Sequence, residues 1–367
     1  MKVLTLLGTR PEIIRLSQII PRLDNVCEHV LVHTGQNYTR SLSDVFFEQM
    51  GIRIPDYSLN VRGDTFGSIV AAVLTESEKV LRAERPDAVL ILGDTNSGLA
   101  AITAKRLGIP VYHMEAGNRC YDDRVPEEIN RRIIDHTSDV LMPYTERSRA
   151  NLIREGIAGE RIYVTGNPIK EVLDHYGNSI DTSSILEQMG VERGRYFLVT
   201  LHRAVNVYEP ARLKAFIGSL QRLAAEYALP VLCSLHPRTR SQLDKQGQTL
   251  AGNGVIAFEP VGFFDFIKLE QHAYCVLSDS GTVQEECCLL KVPNVTLRDV
   301  TERPETLEVG SNILSGAQVE SIMRAVALAT SCPCTWIAPP EYLFRNVSET
   351  VVKIILSYRP NVLQRGV

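Results

Sequence analysis

Six short polar motifs each follow directly on an apolar run of strand length: Gly8-Thr-Arg-Pro-Glu12, Gly93-Asp94-Thr95, His113-Met-Glu115, His202-Arg203, His236-Pro-Arg238 and Asp279-Ser280-Gly281. Together they hold carboxylates, imidazoles, guanidinium groups and a small-residue turn, the set that acid–base chemistry on an anionic substrate needs. Asp94 and Glu115 close two successive runs. Glu127 lies a short loop further on, in Val125-Pro-Glu-Glu-Ile-Asn-Arg131. Acids at the ends of adjacent parallel strands come near enough to perturb one another and to act as proton donor and acceptor. Taken singly, each acid serves as well as a helix cap or an ion-pair partner, whereas three in one place favour catalysis. Ordinary capped turns would explain any one of the six motifs, but they predict Ser, Asp and Asn more readily than paired His and Arg.

A phosphate site is also legible. Ser280-Gly281 precedes a helical stretch through Val283-Gln-Glu-Glu286, so free backbone N–H groups and the positive helix end can accept a diphosphate. Arg10, in the first of these loops, and His202 or Arg203 are placed to supply countercharge. There is no Walker motif, and no Gly-x-Gly-x-x-Gly follows any strand run. Neither P-loop chemistry nor a nicotinamide dinucleotide is supported, and no cofactor is expected.

The elements that must position these groups alternate between strand and helix along the chain, the pattern of βαβ units around parallel sheets. Strands are expected over 2–7, 29–34, 88–93, 111–115, 140–144 and 161–166, then over 196–201, 230–235, 255–259, 274–279 and 294–297. Helices are expected over 66–84, 96–107, 208–226 and 316–329. A chain of 367 residues exceeds one ordinary core, and the strand pattern lapses between Gly166 and Arg195. We therefore expect an N-terminal Rossmann-like domain over 1–170 and a C-terminal one over 171–345. The segment 346–367 should be a helical end crossing back to the first domain. In open parallel sheets ligands bind beyond the carboxyl ends of the strands, so all six motifs should converge on one central cleft between the two doubly wound domains.

Composition narrows the partners. A net charge of −4 gives no electrostatic reason to expect nucleic acid, so an anionic substrate must be held by a few local cations. The apolar run after Met1 is too short for a signal-peptide core, and no window reaches the length of a membrane span, which predicts a cytoplasmic protein without a membrane partner. The eight cysteines fit neither a disulfide framework nor a zinc site, and Cys332-Pro-Cys334 reads as a loop of reduced thiols. No metal is expected.

In order and spacing, these motifs resemble those of the non-hydrolysing UDP-N-acetylglucosamine 2-epimerases. The resemblance runs from Gly8-Thr-Arg-Pro-Glu12 through Glu115-Ala-Gly117, Pro126-Glu-Glu-Ile-Asn-Arg131, Gln284-Glu-Glu286 and Thr301-Glu-Arg-Pro-Glu305. It implies a glycosyltransferase-B-like fold, a homodimer, a UDP-sugar substrate and no redox cofactor. It also implies removal of the hydrogen at carbon 2 as UDP leaves carbon 1, giving a 2-acetamidoglucal to which UDP adds back after reprotonation. By the family pattern Asp94, Glu115 and Glu127 form the acid–base set, while His202, Arg10, Ser280 and Gly281 hold the diphosphate. Glu286 matches the uracil-ribose ligand and Phe266 the position packing on uracil, although an aromatic at helical spacing is more often core. Arg131, His236 and Arg303 complete the expected substrate-binding set.

Two departures bear on the sugar. Arg15 stands where the family commonly has lysine, a rigid fork in place of a point charge. The segment 117–125 is shorter than the usual loop and looks like the branch forming UDP-N-acetyl-L-fucosamine from its 6-deoxy-L-talo epimer. A hydrolysing 2-epimerase would differ mainly in whether water replaces UDP at carbon 1. A retaining glycosyltransferase should lack the paired acids, and a non-catalytic nucleotide-sugar sensor would tolerate their loss.

Overall fold

The computed structural model describes residues 1–35, 40–201, 206, 208–235 and 237–357; His202, Arg203 and His236 thus lie outside the described residues. The chain forms two compact units. One comprises Met1–Asp174 with the described residues from Pro340 on, and the other His175–Pro339.

Strands β1 (Lys2–Leu7), β2 (Glu28–His33), β3 (Tyr57–Ser58), β4 (Ala88–Leu92), β5 (Val111–Met114) and β6 (Val140–Met142) belong to the first unit. Among the described residues they make one parallel sheet in the order β3-β2-β1-β4-β5-β6. The second unit holds β7 (Phe197–Leu201), β8 (Val231–Leu235), β9 (Val255–Phe258), β10 (Cys275–Ser278), β11 (Asn294–Thr296) and β12 (Asn312–Leu314), in the order β12-β11-β10-β7-β8-β9, again parallel. Counted from its own first strand, each sheet has the doubly wound order 3-2-1-4-5-6. The strand order reverses between β1 and β4 in one unit and between β7 and β10 in the other, where such sheets open a ligand crevice.

Helices cover both faces of a parallel sheet, so its central strands read as unbroken apolar runs. β1 is buried from Val3 to Leu7, and β4 throughout. In the first unit Leu4, Leu6, Val89 and Ile91 pack with Val73, Val80 and Leu81 of the helix Phe66–Glu84. In the second, Phe197, Val199 and Val231 meet Phe216, Leu220 and Leu223 of the helix Pro210–Tyr227. On its other face Leu198, Leu232 and Val276 meet Leu269, Val283 and Cys287. Each such aliphatic side chain contributes about 1.5–3 kcal/mol on burial.

The expected strand 161–166 is not formed. Ile162 makes one bridge to Leu141, and Tyr163 and Thr165 donate to the carbonyls of Leu141 and Pro143 at 2.9 and 3.0 Å. Gly166, at φ 86°, then turns the chain away. Conversely, β3 and β12 were not expected. The expected helix 96–107 begins as a 3-10 turn, Asn96–Leu99, before the α-helix Ala100–Arg106.

Beyond Pro340 the chain is tied to the first unit. The Asn167 amide donates to the Glu341 carbonyl at 3.1 Å, the helix Val347–Ser357 packs on the helix Ile20–Val26, and the Ser348 amide donates to Glu171 at 2.9 Å. Among the described residues no helix is long and apolar enough to cross a membrane, and no cluster of His, Cys, Asp and Glu could hold a metal ion. All eight cysteines are free thiols.

Candidate active site

β1 delivers Gly8 to the switch point of the first sheet. A Cβ there would lie 2.2 Å from both Ser97 Oγ and Thr34 Oγ1, so only glycine lets the loop pass. The helix Arg10–Leu16 begins two residues later. Arg10 is half-buried with its guanidinium 5.6 Å from the Phe46 ring centroid, and burial lowers its pKa. Glu12, buried on that helix, joins two of the predicted motifs. Its carboxyl accepts from the amides of Gly8 and Thr9, and from Thr95 Oγ1 at 2.7 Å. Sequence reasoning gave Glu12 no role, although its place three residues after Thr9 carries a capping signature.

Burial pushes the Glu12 carboxyl up to about 7, against the pull of those three donors. A carboxyl raised in the folded state gives stability that is fully present below its unfolded value of 4.5 and lost as pH rises through about 7. The shift corresponds to about 3 kcal/mol. Denaturation at about pH 5 and about pH 8 should therefore show a loss of that order in the wild type and a much smaller one in Glu12→Gln. Equal losses would mean that Glu12 does not carry the linkage.

The acids following β4 and β5 are each clasped by a buried arginine. Arg131 reaches Asp94 Oδ2 through Nε at 2.8 Å and Nη2 at 2.6 Å, while its Nη1 bonds Glu128 at 2.8 Å. Glu128, fully buried, also accepts from the amides of Cys120 and Tyr121 at 3.0 Å each. Burial raises the Glu128 carboxyl, and those amides with Arg131 more than offset it, holding it below the usual carboxylate range. Arg15 Nη1 lies 3.4 Å from both Glu115 Oε2 and Tyr144 Oη, with its guanidinium 5.6 Å from the Tyr144 ring centroid. Glu115 itself sits at φ 64°, a left-handed conformation costing a non-glycine residue about 1–2 kcal/mol. Such strain is kept where a side chain must point one way. Glu127 is half-buried in the first turn of the helix Pro126–Thr137.

Behind these acids lies a network that the sequence did not disclose. His113, in β5, has Asp135 Oδ1 at 2.9 Å from Nδ1 and the Gly93 carbonyl oxygen at 2.9 Å from Nε2. With an acceptor at each ring nitrogen, only the doubly protonated ring makes both bonds. Asp135 also accepts from Arg119 Nη2 at 2.8 Å and the Gly117 amide at 3.1 Å. Burial pushes Asp135 up, but the bonds and charges of His113 and Arg119 prevail and hold it low. The chain Asp135–His113–Gly93 thus fixes the peptide preceding Asp94, and Gly117 follows Glu115 by two residues.

In the second unit β10 ends at Ser278 and the helix Gly281–Leu290 starts after Ser280. A Cβ on Gly281 would meet Glu302 Oε1 at 2.5 Å, and Glu302 is buried and bonded to Arg298 at 2.6 Å, so the helix start is open only with glycine. Arg303 is buried and bonded to Glu285, beneath that helix. Asp279, fully buried, accepts from Asn206 at 3.1 Å. Glu286 is nearly buried on the same helix, and Phe266 packs half-buried against the core of this face. In the first unit the structure gathers Arg10, Arg15, Asp94, Glu115 and Arg131 at strand ends and the helices beside them. In the second it gathers Ser280, Gly281, Glu286 and Arg303 around one helix.

Two doubly wound units, one with acids after neighbouring strands and the other with a helix start opened by Gly281, have glycosyltransferase-B-like architecture. The sequence matches the UDP-N-acetylglucosamine 2-epimerase family over residues 22–356. The chain belongs to that family and is an isomerase. It is 42% identical over 349 residues to the UDP-N-acetylglucosamine 2-epimerase of Methanocaldococcus jannaschii, covering 92% of this chain and 95% of that one. The structure of the M. jannaschii UDP-GlcNAc 2-epimerase in complex with UDP-GlcNAc and UDP superposes with a TM-score of 0.93 at 39% identity, over 98% of this chain and 100% of that one. The UDP-2,3-diacetamido-2,3-dideoxy-D-glucuronate 2-epimerase of Pseudomonas aeruginosa is 38% identical over 331 residues, 89% of this chain and 91% of that one.

Proposed function

We propose that the chain interconverts UDP-N-acetylglucosamine and UDP-N-acetylmannosamine without net hydrolysis. An acid–base group takes the proton from carbon 2 as the carbon 1–oxygen bond breaks, leaving UDP and 2-acetamidoglucal. A second group returns a proton to the opposite face of carbon 2, and the UDP oxygen re-forms its bond to carbon 1. Asp94, Glu115 and Glu127 are the acid–base set. Ser280, Gly281 and Arg10 stabilise the leaving diphosphate, with His202, and Glu286 accepts from the ribose hydroxyls.

The observation carrying this reading is that β4 and β5, neighbours in the sheet, are followed by Asp94 and Glu115, each held by its own buried arginine, Arg131 and Arg15. Two acids fixed at adjacent strand ends suit proton transfer at one carbon. A sensor would have no use for them. A homodimer is part of this reading, checked by light scattering at twice the chain mass.

Incubation with UDP-N-acetylglucosamine in deuterated water should place deuterium at carbon 2 of both substrate and product with UDP still attached. Release of free sugar and UDP would make the enzyme hydrolysing, and no exchange with any UDP-hexosamine would sink the epimerase reading. A second substrate to test is the diacetamido-glucuronate after which the Pseudomonas relative is named. The panel should therefore hold that sugar and the 6-deoxy-L-talo epimer beside UDP-N-acetylglucosamine.

A further inference from the structure

Glu270 sits in the helix Phe263–Gln271, which packs on the helix carrying Glu286. It is completely buried, and among the described residues neither of its carboxyl oxygens meets an N–H or O–H donor. Its surroundings are apolar, with Leu269, Ala273, Val276, Val283 and Cys287 forming the core of this face. From β7's side the Tyr196 hydroxyl is already committed, donating to the Leu269 carbonyl at 2.6 Å. On its own helix, Lys268 is turned to the Asp181 carbonyl at 3.1 Å and lies 3.9 Å from the Asp181 carboxylate. From the facing helix come the Cys287 thiol, which burial keeps protonated, and the Glu286 carboxyl, close enough for its charge to act on Glu270.

An ionised carboxylate in such a place, without a single donor, would be uncompensated, so the side chain carries a proton. A neutral carboxyl has one O–H to give, and the acceptor within reach is Glu286. Burial first, then the nearby Glu286 charge, raise the Glu270 pKa well above the carboxylate range.

We propose that Glu270 is a positioning residue whose carboxyl O–H donates to Glu286, holding that carboxylate for the ribose hydroxyls, so that nucleotide affinity falls as this proton is lost. The proposal rests on Glu286 being the ribose ligand. While the proton is held, the pair carries one negative charge and a charge-assisted O–H···O bond. Once it leaves, two carboxylates face each other in a dry site, and Glu286 swings away from the position it holds for ribose.

Titration calorimetry with UDP from about pH 6 to about pH 9 tests this in wild type, Glu270→Gln, Glu270→Leu and Glu286→Gln. Glutamine keeps a donor toward Glu286 at every pH, so Glu270→Gln should bind UDP as tightly as wild type at the low end and hold that affinity where wild type weakens. Subtracting its profile removes titration of UDP and of other groups. Glu270→Leu has no donor and should bind about three- to tenfold more weakly than wild type at the low end. A role in packing alone would change melting temperature and leave the pH slope in place. If Glu270→Gln keeps the wild-type slope, the proposal is overturned. If Glu286→Gln binds UDP unchanged, the ribose assignment itself fails, a separate result. Should Glu270→Leu not fold, the near-isosteric glutamine variant carries the test.

Discussion

An Asp94→Asn chain is expected to lose carbon-2 deuterium exchange by a factor of about 10²–10⁴ while binding UDP within about threefold of wild type. Asparagine keeps the shape and one oxygen toward Arg131 but takes no proton. The fold should tolerate the change because Arg131 stays paired with Glu128 at 2.8 Å. Glu115→Gln should lose exchange similarly, with a larger stability penalty, since Arg15 is only 1% exposed and Glu115 is its carboxylate partner. The groups proposed to hold UDP are Arg10 in the first unit and Ser280, Gly281 and Glu286 in the second, and neither Asp94 nor Glu115 is among them, so calorimetry separates the outcomes. A collapse of UDP affinity in step with exchange would make these acids structural. Exchange surviving in both variants would remove them from the chemistry.

Asp135→Asn is expected to be the most destabilising single change in the first unit, by about 3–5 kcal/mol. Its carboxylate faces the His113 ring and the Arg119 guanidinium, with no exposure on either side of the pairs. The amide leaves the Arg119 guanidinium to Glu155 alone and turns a donor toward the His113 ring or that guanidinium. Glu78→Ala is the control: its partner Arg82 lies at the surface at 2.6 Å, and its loss should change stability by less than about 1 kcal/mol. Thermal denaturation of both variants checks the contrast. The pH dependence follows from the depressed Asp135 value. Its contribution is present above the unfolded 3.8 and lost as pH falls through the folded value, so the gap between wild type and variant should narrow in acid. A gap that is constant with pH would point to packing.

The sheets were legible because a parallel strand covered on both faces has no polar side to interrupt it. Two of the four edges were not: β3 and β12 are two and three residues long and pair on one side only, too short for a pattern. The run 161–166 misled because Tyr163 and Thr165 do bond to the edge of β6, but Gly166 ends the pairing after one bridge. The site motifs were visible as residue types after strands. Their supports were not, because His113 and Asp135 are 22 residues apart and meet only when β5 and the helix after it are both in place. That helix also inverts the usual rule. Glu128, Arg131 and Asp135 face inward at spacings of three and four, while Ile129 and Ile133 are 47% and 37% exposed. Glu270 escaped notice because, in a helical stretch that also carries Asp265 and Lys268, nothing in the residue types marks which charged side chain is turned into the core.

The closing helix has a consequence for synthesis. The second unit is continuous in sequence, so all of its strands have left the ribosome before the first unit is complete. The first unit has its whole sheet early but waits for Val347–Ser357 to cover the helix Ile20–Val26 and for Ser348 to reach Glu171. The usual order, in which the N-terminal domain finishes first, is therefore reversed. A nascent chain would hold a finished second unit while the unit bearing Asp94 and Glu115 still lacked the helix Val347–Ser357.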